Sequence, residues 1–208
     1  MDQKTHWENI YQTKSSMQVS WYADHLQTSL RLIEQSGLNR SAHIIDIGSG
    51  ASTLMDDLMD RGFANLTCLD ISASALDIAK KRLGARADKI SWVEADITQA
   101  SLPKHFDLWH DRAVFHFLIS PEDRQKYVDI VKRSLKPHGY VLMATFALDG
   151  PKKCSGLDIV QYSPQTLHNE FGPEFQMVET LSESHHTPSG SVQHFIYCLM
   201  QYIPQEKT

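Results

Sequence analysis

Two kinds of apolar pattern alternate along this chain: stripes at helical spacing, and short continuous runs. Leu26, Leu30 and Ile33 form a stripe that stops at Gly37. Ala42-His43-Ile44-Ile45-Asp46-Ile47 is a short apolar run that ends in Gly48-Ser49-Gly50, the pattern of a buried strand entering a glycine turn. Leu54, Met55, Leu58 and Met59 return to helical spacing, and Arg61-Gly62 closes that helix. Asn65–Asp70 reads as a second strand. Ser72 or Ser74 then caps a helix carrying Leu76, Ala79 and Leu83, which stops at Gly84. Ile90–Glu94 and residues 106–110 read as strands three and four. Ser120-Pro121-Glu122-Asp123 opens a helix with serine as cap, proline at the first position and acids against the positive end; Tyr127, Val128, Val131 and Leu135 form its apolar face. Lys136-Pro137-His138-Gly139 is a turn into a fifth strand, residues 140–146.

The tail differs. Ser163-Pro164 caps one more helix to about Phe171, and two strand-like runs at 175–180 and 192–200 are joined through Pro188-Ser189-Gly190. Alternating strands and helices of this length predict an α/β fold. We expect a doubly wound, mostly parallel seven-stranded sheet with helices on both faces and an antiparallel C-terminal hairpin. The 208 residues suit one domain, 1–208, with residues 1–25 as an N-terminal lid bearing scattered aromatics. Residues 149–161 are polar and long for a passive connection, which favours a substrate loop.

Hydrophobic residues make up 41% of the chain, close to the globular average once glycine is added, which excludes disorder and fibrous classes. A net charge of -5 leaves no basic surplus to grip phosphate backbones, so nucleic acid is not the expected partner. Cys68, Cys154 and Cys198 are odd in number and form no C-x-x-C pair, against a disulfide framework or a zinc site. Residues 1–7 show no apolar signal region, and no run approaches the ~18 residues of a membrane span. The expectation is a cytoplasmic protein, a monomer or weak dimer, working away from membranes.

Open parallel sheets bind ligands at the carboxyl ends of their strands. Gly48-Ser49-Gly50 stands at such an end, where glycine lets backbone approach a ligand closely. Asp70, twenty residues after Gly50, ends the second strand and can accept both hydroxyls of a ribose. Asp96, after the third strand, can accept from an exocyclic amine such as that of adenine. A nicotinamide-dependent reductase would also use this layout, but it needs G-x-G-x-x-G, and the third glycine position here is Thr53. A non-catalytic module that keeps a nucleoside cofactor as a structural ligand is the other alternative.

These residues, in this order, resemble the class I S-adenosylmethionine-dependent methyltransferases over nearly the whole chain. Ile44-Ile45-Asp46-Ile47-Gly48-Ser49-Gly50 looks like their first motif, in which a carboxylate and glycines hold the methionine part; the usual third glycine is Ser52 here. Asp70-Ile71 looks like the ribose motif, Asp96-Ile97 like the adenine motif, and Lys136-Pro137-His138-Gly139-Tyr140 like the late turn before strand five. Trp7, Tyr11 and Tyr22 are similar to a subgroup that includes protein-lysine methyltransferases, in which N-terminal aromatics fold over the cofactor. Asp111-Arg112-Ala113 stands where that subgroup has an acid, a base and a glycine; an acid–Arg pair there also looks like thiopurine-type small-molecule enzymes. The resemblance implies a methyltransferase of the EC 2.1.1 type that uses S-adenosyl-L-methionine and releases S-adenosyl-L-homocysteine. It implies Trp7, Tyr11, Tyr22, Asp46, Gly48, Ser49, Gly50, Asp70, Ile71, Asp96, Ile97 and Arg112 as cofactor contacts.

Methyl transfer from a sulfonium is an in-line displacement onto a lone pair, so an acceptor that arrives protonated has to lose its proton. His110, Asp111 and His116, clustered after strand four, are the candidate bases. The plainer readings are strand-end packing for His110, a structural ion pair for Asp111-Arg112 and a core histidine for His116. No H-E-x-x-H or comparable spacing points to a metal. The D/N-P-P-Y signature of nucleobase and amide methylation is absent, so the expected acceptor is a small molecule or a protein side chain.

Overall fold

The computed structural model describes residues 2–103 and 105–205, apart from the side chain of Ser16. Nine strands are present among them: β1 (His43–Ile47), β2 (Asn65–Asp70), β3 (Ile90–Glu94), β4 (Phe106–Arg112), β5 (Leu135–Phe146), β6 (Lys153–Cys154), β7 (Leu157–Asp158), β8 (Phe175–His186) and β9 (Val192–Tyr202). The helices are α1 (Gln3–Thr13), α2 (Gln27–Gln35), α3 (Leu54–Asp60), α4 (Ala73–Leu83), α5 (Pro121–Ser134) and α6 (Pro164–Phe171). Seven strands form one sheet in the order β3-β2-β1-β4-β5-β9-β8. The first five are parallel; β9 runs antiparallel to both β5 and β8.

Each central strand is buried on both faces, so its alternate residues feed two separate cores. Ile44, Leu108 and Leu142 pack with α2, α3 and α4; Ile45, Trp109 and Val141 pack with α5 and α6. The strand order turns outward in both directions from the β1/β4 pair, which opens a crevice above the carboxyl ends of those two strands.

Several boundaries differ from the sequence reading. Residues 136–139 belong to β5, which begins at Leu135. A bulge opposite residues 106–108 absorbs the extra backbone, with His138 in the left-handed region at φ +63°. β4 runs on to Arg112, and β8 runs to His186 because its polar residues 183–186 stay paired with β9. Residues 149–161 contain the small hairpin β6–β7. The N-terminal segment contains α1, started by Asp2, whose carboxylate accepts from Thr5 N at 2.9 Å.

Candidate active site

The β1 turn is built for close approach. Gly48 and Gly50 have φ of +62° and +51°, where a side chain is strained. A Cβ on Gly48 would run into Val114 Cγ2, and one on Gly50 would lie 2.5 Å from Tyr11 Oη. The loops after β1 and β4 therefore meet across a contact that only glycine permits. Ala113, on the opposing loop, sits at φ +72°, a strained conformation for a residue with a Cβ and one concentrated at functional sites.

Asp70 ties the β1 and β2 loops together. Its carboxylate accepts from Gly50 N and Ser72 N, each at 2.8 Å. Burial pushes its pKa up to about 6, against the pull of those two amides. Asp96 stands at the end of the third strand's loop, where it accepts from Thr98 N and Thr98 Oγ1 at 2.8 Å each.

A cavity of about 850 Å³, open mouth included, lies over the strand ends. Gly48, Asp70, Ile71, Asp96 and Ile97 line one side, Trp7, Tyr11 and Arg112 another. A second cavity of about 520 Å³ adjoins it through Tyr11, Trp21, Gly48 and Arg112, and its walls add Tyr22, Asp46, Ser49 and His110. The structure thus brings eleven of the twelve expected cofactor-contact residues to the walls of one double cavity; the twelfth, Gly50, packs against Tyr11 at its edge. Trp7 stands edge-on to Trp21 and Phe117 at centroid distances of 5.6 and 5.2 Å. The Tyr22 hydroxyl donates to Asp24 at 2.6 Å.

The expected bases are placed differently. His110 has both ring nitrogens engaged, Nδ1 with Asp46 at 2.6 Å and Nε2 with Ser29 at 2.9 Å, which leaves no free nitrogen for a proton. Asp111, one residue along β4, faces the opposite core. It accepts from Tyr127 Oη at 2.6 Å and from Val114 N and Phe115 N, and so caps the turn that follows the strand. His116 is sealed between Phe117 and Phe146; burial and, after it, the Arg112 charge push its pKa down to about 3, so it is neutral. None of the three offers a proton acceptor to the larger cavity. Strand alternation carries the signal: past the bulge, Leu108, His110 and Arg112 face one way and Trp109 and Asp111 the other.

Arg112 instead stands between the cavities. Its Nε donates to Tyr197 Oη at 3.0 Å, Nη1 donates to Trp21 O at 3.0 Å, and the guanidinium lies 4.7 Å from the Phe195 ring centroid. Nη2 is buried without a hydrogen-bond partner, its nearest anion Glu183 Oε1 at 3.9 Å. An unmet buried donor costs roughly 1–3 kcal/mol, and on a cavity wall a ligand can meet it. Trp21, Phe117, Phe146 and Phe195 were not singled out from the sequence, since isolated aromatics there look like core.

Residues 45–143 match the family model for a methyltransferase domain. Those residues carry a methyltransferase domain, and the chain is an S-adenosylmethionine-dependent methyltransferase. This methyltransferase is 24% identical over 194 residues to EEF1A lysine methyltransferase 2 of Danio rerio, covering 86% of this chain and 77% of that protein. It is 35% identical over 104 residues to a malonyl-[acyl-carrier protein] O-methyltransferase of Anoxybacillus flavithermus, covering 50% of this chain and 38% of that one. The fold of the N-methyltransferase NodS from Bradyrhizobium japonicum, solved with S-adenosyl-L-homocysteine, superposes with a TM-score of 0.71 at 16% identity, over 98% of this chain and all of that one. The methyltransferase's cofactor is S-adenosylmethionine. Its double cavity fits that group in kind: a glycine cradle, the buried carboxylates of Asp46 and Asp70, and the unmet Nη2 of Arg112. Among the described residues no cluster of His, Cys, Asp or Glu could hold a metal ion, and no helix is long and apolar enough to cross a membrane.

Proposed function

We propose that this methyltransferase transfers the methyl group to a small molecule that meets the cofactor neutral or anionic. The cavity wall beyond β4, β5 and β9 carries this reading. It is built from Trp21, Phe117, Phe146, Phe195 and Cys154, and its one charged group is the Arg112 guanidinium. An ammonium ion arriving there finds no carboxylate on this wall to take its charge or its proton, and it meets the Arg112 guanidinium, whose Nη2 has Glu183 Oε1 behind it at 3.9 Å. A planar apolar acceptor with a neutral or anionic nucleophile suits the same walls.

The bound sulfonium supplies the electrophilic methyl. Asp70 is placed to accept from the ribose hydroxyls, with Asp96, Ile71 and Ile97 beside the base. Asp46, Ser49 Oγ and Arg112 Nη2 suit the amino-acid end, and Gly48 and Gly50 let the backbone approach. Trp7, Tyr11 and Tyr22 present aromatic faces that favour a cation and exclude water. With no base on the wall, the protein contributes orientation, and the acceptor enters with its lone pair free.

Residues 1–25 serve as the lid, of which Met1 lies outside the described residues; the hairpin in 149–161 serves as a substrate loop through Cys154. The lid is fastened by Glu8, whose carboxylate accepts from Ala73 N at 2.6 Å and Ser74 N at 3.3 Å at the start of α4, where the helix dipole favours an anion. Glu8→Ala should speed S-adenosylhomocysteine dissociation roughly tenfold in stopped flow, the worth of a charged hydrogen bond; an unchanged rate would detach α1 from the site. We also infer a cytoplasmic protein acting without nucleic acid, as a monomer or weak dimer, on its net charge of -5.

A second reading, transfer to a protein lysine, is favoured by the similarity to EEF1A lysine methyltransferase 2. Transfer of radiolabelled methyl to elongation factor 1A and to a panel of small thiols, phenols, carboxylates and amines separates the two. Label on small acceptors alone supports the first; label on the factor alone refutes it.

A further inference from the structure

Three side chains from three elements form a buried line behind the smaller cavity. Ser29 of α2 lies 2.9 Å from His110 Nε2 on β4, and His110 Nδ1 lies 2.6 Å from Asp46 Oδ1 on β1. All three are shielded, at 0%, 1% and 3% exposure, so the line is not a surface accident. A carboxylate can only accept, so Nδ1 carries a hydrogen and donates it to Asp46; Nε2 shares the second hydrogen bond with the Ser29 hydroxyl. Asp46 and His110 both reach the cavity wall; Ser29 does not. His110 therefore holds one oxygen of Asp46, while no protein group among the described residues bonds the other.

We propose that His110 is a positioning residue for the cofactor. It fixes the Asp46 carboxylate so that the second oxygen faces the ammonium of the amino-acid end, and Ser29 holds the ring at its other nitrogen. The proposal rests on the reading of the smaller cavity as the amino-acid end. It gives His110 a role that needs no proton transfer to the acceptor. A carboxylate free to rotate would lose orientation each time the ligand left; a short bond from a ring wedged between α2 and the sheet keeps it aimed.

The test compares two ligands on one protein. S-adenosylhomocysteine carries the ammonium; 5′-methylthioadenosine has the same nucleoside and lacks the amino-acid end. Calorimetry would give both affinities for wild type, His110→Leu, His110→Gln, His110→Asn and Ser29→Ala. The asparagine amide can take the place of Nδ1 and donate to Asp46; the glutamine amide falls nearer Nε2. His110→Leu and His110→Gln should weaken S-adenosylhomocysteine about tenfold or more and 5′-methylthioadenosine less than about twofold, with His110→Asn recovering most of the loss. Ser29→Ala, a small change inside a helix that keeps the fold accessible to measurement, should weaken S-adenosylhomocysteine a few-fold. Equal losses for the two ligands would reduce His110 to a fold staple and overturn the proposal, as would unchanged S-adenosylhomocysteine affinity in His110→Leu. Wild type that binds S-adenosylhomocysteine no more tightly than 5′-methylthioadenosine would overturn the reading of the smaller cavity itself, and the proposal with it.

Discussion

Replacing Asp70 by alanine should weaken S-adenosylhomocysteine binding by about 1–3 kcal/mol, or roughly 5–150-fold, because its hydrogen bonds involve a charged acceptor. Two losses combine. The ribose loses its carboxylate, and Gly50 N and Ser72 N lose the group that ties the β1 and β2 loops together. Binding should also depend on pH in a specific direction. Burial holds Asp70 at about 6, and the ionised form is the better hydrogen-bond acceptor. Affinity should therefore rise as pH climbs through about 6 and level off above it, whereas Asp70→Asn should show no such rise. Stability of the free protein runs the other way. An acid whose folded pKa lies above its unfolded value near 3.8 contributes stability below that value and loses it as pH rises through about 6. Titration calorimetry from pH 5 to 8 reads the first trend and chemical denaturation the second. A flat affinity profile in wild type would remove Asp70 from the site.

Asp111→Ala should damage the fold while sparing the chemistry. The carboxylate is fully buried and receives Tyr127 Oη, Val114 N and Phe115 N; Tyr127 in turn accepts from Trp109 Nε1 at 2.8 Å. Truncation leaves several buried donors unmet at roughly 1–3 kcal/mol each, and partial relaxation makes about 3–5 kcal/mol the expected total. At this chain length that lowers the melting temperature by about 10 °C. The folded fraction should keep a near-normal kcat, since this side chain lies on the far side of β4 from the cavity. A kcat collapse at unchanged stability would restore Asp111 as a base.

Much of this layout was legible in the sequence because each signal was local. β2 and β3 have the boundaries that their apolar runs predict; Ser120 and Ser163 cap the helices expected of them, and of the two candidates for α4 it is Ser72 that caps. Asp70 and Asp96 line one cavity because a strand's end fixes where the side chains at and just after it stand. What stayed hidden depended on partners distant in sequence. α1 has one buried residue, Ile10, and no wide apolar stripe; its order comes from docking on α4 and β3 through Glu8 and Lys4. The β5 bulge looks like a turn until β4 is there to pair with it. Ser29 is one polar residue in an amphipathic helix, and nothing local marks it as the neighbour of His110. The distinction between His110 and Asp111 was readable in principle, since adjacent strand residues face opposite ways, but which face holds the cavity is a tertiary fact.

The attachment of α1 to the first residues of α4 bears on the tempo of turnover. Glu8 grips backbone only three residues beyond Asp70, so on the proposed reading the strap over the nucleoside is fastened beside the loop that would cradle it. Departure of spent nucleoside then becomes the slow clock of the cycle, visible as a burst of the first methylated product followed by a slower steady state.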